Sequence, residues 1–183
     1  MHDVYSKTLR FETSDKAALA VVDMSVAYDA NYLSRMFKDS GRRGLLLTDN
    51  RSTVIIQDEF TLTADKKHTV YWFGHTPKGM ECTISDDGRT AILTMDGKSL
   101  LVQIVLPEDA TYDFTFSFGP ADYLPETGLS QVELEYSRVG LGKLSAKGTN
   151  LSGEIKLAVV CRLLSSGASG YVYTDIDDWN VNA

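Results

Sequence analysis

Few residues in this chain have the types and spacing that chemistry needs, and the three histidines, His2, His68 and His75, come first. Their spacing is not that of metal ligands. His2 sits at the chain end and His68 follows two lysines in a loop. His75 closes KKHTVYWFGHTP, Lys66 to Pro77, where three aromatic residues precede it. In a strand, Tyr71, Phe73 and His75 share one face while Val70 and Trp72 share the other. Two roles fit His75: a strand-end residue hydrogen-bonded to a loop, or a ligand contact beside an aromatic platform suited to sugar rings. A lone histidine needs a partner before it acts as an acid or base. His75, Trp72 and Tyr71 are therefore candidates for substrate contact, with no catalytic residue and no metal site assigned.

Asp58, in VIIQDEF, interrupts an apolar strand where the alternation ends. It reads as a strand-end acid capping a turn or as the partner of a basic residue, with Arg35 and Arg51 as candidates. Arg35 and Tyr28, in AYDANYLSRMF, read as structural. Cys82 and Cys161 each lie in an apolar, strand-like run and read as buried free thiols. No Gly-rich phosphate loop, nucleophile elbow, HExxH or CxxC occurs, and no cofactor is expected in this chain.

The elements that must position these residues alternate with period two. YDFTFSF places Tyr112, Phe114, Phe116 and Phe118 on one face. SLLVQIVLP does so with Leu100, Val102, Ile104 and Leu106. EIKLAVVCRL does so with Ile155, Leu157, Val159, Cys161 and Leu163. Such strands belong to antiparallel sheets wet on one side. Asp87-Gly88 and Asp96-Gly97 each join two alternating runs, which predicts a three-stranded meander. Further strands are predicted at 17–24, 32–38, 43–48, 53–60, 69–76, 112–118, 132–138 and 154–163. PADYLPETGLS, 120–130, reads as a crossing loop, and Trp179 is expected to pin the polar tail DIDDWNVNA to the body. The fold predicted is all-β, a large two-sheet antiparallel β-sandwich of about a dozen strands.

Composition narrows the function classes. A chain of 183 residues suits one domain, 1–183, with a substantial core. The net charge of −7 argues against nucleic acid as partner. The short basic clusters Arg42-Arg43 and Lys66-Lys67 read as solvated loop charge. No apolar run approaches the roughly 20 residues of a membrane span, and no signal peptide is visible. The N-terminus opens almost in strand, as an excised domain would.

VVDMSVAYDANYLSRMFKDSGRRGLLLTDNRSTVIIQDEF resembles the C-terminal β-domain of the heparinase II/III-like polysaccharide lyases. The shared features are the VxD…AY start at Val21 to Tyr28, the arginine and aromatic strand at Arg35 to Phe37, and the apolar strand ending in Asp58-Glu59. The segment from Tyr71 to Phe114 is similar to that family's W…HT strand, its D-G hairpins, and a strand followed by proline. The resemblance spans roughly residues 8–165 and rests on the order of several short motifs. It implies a parent enzyme in which an α/α-toroid carrying a catalytic Tyr packs on a β-sandwich. Such an enzyme cleaves uronic-acid polysaccharides by β-elimination. The family's H-x-H-x-D and H-N motifs are absent from this chain.

The expectation is thus the C-terminal, non-catalytic portion of such a lyase. Its partners would be the upstream toroid and β-sheet portion of the parent chain, with polysaccharide as a further ligand. Two readings from other classes stand beside it. One is a free-standing carbohydrate-binding β-sandwich using Trp72, Tyr71 and Trp179 as platforms. The other is an interaction sandwich with exposed edge strands.

Overall fold

A computed structural model describes residues 6–25, 37–121, 140–166 and 170–182. Eleven strands lie among them: β1 (Lys7–Thr13), β2 (Ala18–Asp23), β3 (Phe37–Thr48), β4 (Thr53–Leu62), β5 (His68–Thr76), β6 (Glu81–Ile84), β7 (Thr90–Met95), β8 (Lys98–Val105), β9 (Thr115–Pro120), β10 (Gly142–Leu151) and β11 (Gly153–Leu163). They form an eight-stranded sheet in the order β1-β2-β3-β4-β11-β8-β7-β6 and a three-stranded sheet in the order β5-β10-β9. Every pairing is antiparallel. The all-β sandwich expected from the alternation is the fold observed.

The meander β6-β7-β8 forms as the Asp-Gly turns require. At the two-residue turn between β7 and β8, Asp96 and Gly97 both take positive φ, 50° and 72°. Those are the backbone angles of a tight hairpin turn, and glycine reaches them without steric cost. The YDFTFSF alternation holds as well. Phe114 and Phe116 are buried, and Asp113, Thr115 and Ser117 are exposed.

The main core lies between the sheets. Leu62, Trp72, Val102, Phe114, Phe116, Leu144, Ile155, Leu157 and Val159 meet there, with Cys82 and Cys161 packed against them. Both cysteines are free thiols. Burial raises both, and pushes Cys161 up to about 11, so each stays a protonated, apolar filler.

A second core corrects the expectation of strands wet on one side. On the opposite face of the large sheet, Leu19, Val21, Leu46, Ile55, Ala158 and Val160 are buried beneath Ile176, Trp179 and Val181 of the tail. The central strands β4 and β11 are thus apolar on both faces. The run Leu157–Val160 is the local sign of it, because a strand covered on both sides loses its polar alternation. Trp179 pins the tail as expected. Its ring lies over Gly44, where an added Cβ would come within 2.6 Å of the indole.

The two arginines read as solvated loop charge are in β3, and they are paired. Arg43 grips both oxygens of Asp58, at 2.6 and 2.7 Å. The partner of Asp58 is therefore Arg43, its register neighbour on β3. Arg51 instead donates to the Asp15 and Ser14 carbonyls, and Arg35 lies outside the described residues. Arg42 bridges Glu59 at 2.7 Å and Asp177 of the tail at 2.7 Å. β1 and β10 were not among the predicted strands. The predicted strand 132–138 and most of 32–38 and of the 120–130 loop lie outside the described residues.

Candidate functional site

β5 divides its side chains between the core and the outside. Val70 and Trp72 point inward, and Trp72 is 8% exposed within the main core. Tyr71, Phe73 and His75 point outward. The first two stack, with centroids 5.5 Å apart and planes at 12°. Tyr71 and His75 thus share a face, whereas Trp72 belongs to the opposite one.

The neighbouring strand β10 adds cations to that outward face. In register, Lys147 lies opposite Tyr71, Ser145 opposite Phe73 and Lys143 opposite His75. The Lys143 ammonium sits 5.0 Å from the Phe73 ring centroid, and that of Lys147 sits 5.7 Å from Tyr71. Both distances are within the roughly 6 Å over which a ring face attracts a cation. On the far side of β10, Thr115, Ser117 and Gly119 of β9 pair with Lys147, Ser145 and Lys143. The result is an aromatic row, a lysine row and a hydroxyl row side by side.

Burial grades this face. Lys143 and Ser145 are 3% exposed, while Phe73 is 40% exposed and His75 is exposed. The accessible part therefore consists of Phe73, His75 and the partly exposed Tyr71 and Lys147. No described side chain hydrogen-bonds the His75 ring, so among the described residues His75 has no partner to make it part of an acid–base pair. A flat aromatic pair with the Lys147 ammonium beside it can hold the C–H face of a sugar ring and an anionic substituent next to it. That is binding chemistry.

A recess of about 340 Å³ lies where β11 meets the tail, lined by Pro107, Asp109, Tyr112, Glu154, Lys156, Tyr173 and Asp175. Its polar groups are engaged with one another. Lys156 pairs with Asp175 at 2.7 Å and Glu154 at 3.3 Å. The hydrogen bond that its ammonium donates to Asp175 raises its affinity for the proton. The Tyr112 hydroxyl accepts the Lys156 N–H at 2.7 Å and donates to its carbonyl at 2.9 Å. It takes the place of β8, whose pairing with β11 starts only at Ala158. This recess is a joint that holds strand and tail together.

The network under the tail is likewise structural. One Glu59 oxygen accepts from Gln57, Tyr173 and the Ile176 N–H, at 2.8, 3.1 and 3.0 Å. The other accepts from Arg42. Burial and the Glu59 charge raise the Tyr173 phenol, which stays protonated and donates. Among the described residues no group of three or more His, Cys, Asp and Glu is placed to hold a metal ion, and no helix is long and apolar enough to cross a membrane.

Sequence reasoning found Tyr71 and His75 but missed Lys143, Ser145 and Lys147. Their alternation in GKLSAKG was legible, with Leu144, Ala146 and Gly148 on the other face. Small inward residues gave it a weak apolar contrast.

No family model matches the chain, and no curated protein matches it. Solved structures do. The heparinase III BT4657 gene product matches with TM-score 0.54 and 19% identity, over 87% of this chain and 21% of that one. Its form with methylated lysines gives the same values. A mutant of the heparan sulfate lyase HepC from Pedobacter heparinus matches with TM-score 0.52 and 12% identity, over 86% of this chain and 21% of that one. The chain spans about a fifth of the length of these structures. At these identities the likeness is one of fold: the β-sandwich described here is similar to a portion of heparinase III and of a heparan sulfate lyase.

Proposed function

We propose that this chain is the C-terminal, non-catalytic β-sandwich portion of a heparinase II/III-like lyase. The whole enzyme would cleave uronic-acid polysaccharides by β-elimination, and this portion would hold no catalytic group or cofactor of its own. One observation carries the reading: 87% of the chain follows the fold of heparinase III while spanning 21% of its length. The sequence features shared with that family support it independently. In this reading residues 1–183 form one domain whose partners are the helical toroid and the remaining β-strands of the parent chain. The test is absorbance of the unsaturated uronate product when the purified chain meets heparan sulfate, alginate and other uronic polysaccharides. The expected result is no product, and sustained turnover by the chain alone would overturn the proposal.

A second reading is a free-standing carbohydrate-binding sandwich. It is favoured by the stacked Tyr71–Phe73 pair with Lys147 over it, and it makes Tyr71 and His75 the contacts. Trp72 and Trp179 are buried and would act through the core. A glycan array separates the readings. Specific binding by the wild-type chain that Tyr71→Ala and Phe73→Ala abolish would favour the binding module.

A further inference from the structure

The face of the large sheet that holds the main core runs on past the small sheet. One register row crosses the sheet on that face: Ile104, Val159, Ile56, Leu45, Ala20 and Phe11. Ile104 and Val159 are buried in the core, Leu45 is 40% exposed and Phe11 is 70% exposed. One register step away on the same face, Val54 is 38% exposed. The cover gives out for a geometric reason. Strands lie about 4.8 Å apart, so the three described strands shade about 15 Å of a sheet that is about 38 Å wide.

Where the small sheet sits is also fixed. β9 stands at the β6–β7 end, since the Phe116 N–H donates to the Gly88 carbonyl at 2.7 Å and Arg89 pairs with Asp113 at 2.9 Å. β5 follows directly from β4, and the Thr63 hydroxyl meets the His68 ring at 3.0 Å. Among the described residues the order β5-β10-β9 therefore places no strand over the same face of β1, β2 and β3, on the β5 side.

We propose that further β-strands of a longer polypeptide complete this layer, lying beside β5 and pressing an apolar face onto Phe11, Ala20, Leu45 and Val54. The inference rests on the reading above that the chain is part of a larger lyase, and it names the surface by which the rest of the chain is joined. Two observations select strands. The bare face continues an interface that strands already cover. Its charged groups, Arg43 and Asp58, neutralise each other, so an apolar occupant fits.

The test compares Leu45→Asp and Phe11→Ser in this chain and in the longer polypeptide, by thermal melting. In this chain both side chains face water, so each substitution should shift melting by no more than about 2 °C. In the longer polypeptide each should lower melting of the β-portion by more than about 5 °C, as a charge or hydroxyl enters an apolar layer. Equal small shifts in both would overturn the inference while leaving the lyase reading intact. A wild-type dimer that Leu45→Asp splits would overturn it in favour of a second copy. A reading frame that holds no longer polypeptide would remove the reading on which it rests.

Discussion

The two faces of the large sheet are finished by different means. One is closed by the chain's own tail, through Trp179, Ile176 and Val181 and through a network that runs from Gln57 and Glu59 to Tyr171, Tyr173 and Arg42. The other is closed over part of its width by three strands and left bare at Phe11, Leu45 and Val54. Apolar burial drives both, and both hold buried polar groups, but Asp58 on the one face pairs within the sheet with Arg43 whereas those of the tail face bind the covering segment itself. Glu59 and Gln57 are under 10% exposed there, and they give the tail one register instead of a general attraction. The difference teaches how each face is held: hydrogen bonds fix the tail in one position, whereas the exposed part of the other face presents apolar side chains beside the Arg43–Asp58 pair, and this is the surface proposed above to take further strands.

Removing Trp179 should break the comparison most. Trp179→Ala empties the space over Gly44 and releases the tail, at a cost of about 3–5 kcal/mol, read by urea denaturation. A loss under about 1 kcal/mol would mean the tail does not close that face. Asp58→Ala comes next. It removes the bidentate partner of Arg43, whose side chain is a third exposed. Solvent therefore softens the loss to about 1–2 kcal/mol, below the range for a fully buried pair.

Acid should separate the faces without a mutation. The hydrogen bond from Arg42 holds the Asp177 carboxyl below its ordinary value of 3.8. A carboxyl lowered in this way contributes stability above its unfolded value, and the contribution is lost as the pH falls through the folded one. Tail docking should therefore weaken below about pH 4. Trp179 fluorescence in a Trp72→Phe background should report it, and Asp177→Asn should remove that transition. The smallest effect belongs to the bare face. Leu45→Ala should cost this chain no more than about 0.5 kcal/mol, and a cost like that of a core leucine would mean the face is already covered.

Much of the fold was legible because its determinants are local. Asp-Gly turns and alternating runs gave the β6-β7-β8 meander, and YDFTFSF showed which face of its strand is buried. What escaped was set by distant neighbours. β1 carries Phe11 outward on a bare edge, so its pattern lacks a buried face. β10 uses small residues against the core, because Phe114 fills the space at Gly148. The burial of the second face depends on a tail that joins residues over 100 positions apart, as at Gln57 and Tyr173. The Arg43–Asp58 and Arg42–Glu59 pairs needed the β3–β4 register, which composition does not reveal. Of the candidate site, His75 and Tyr71 were found from one strand. The lysines beside them belong to a strand about 70 residues further on.

The most direct test of this account is side-chain footprinting by hydroxyl radicals, run on this chain and on the longer polypeptide that carries it. The account predicts Trp179 protected in both, with Phe11 and Leu45 reactive in the chain and protected in the longer polypeptide. Phe11 and Leu45 equally reactive in both, or already protected in the monomeric chain, would contradict it.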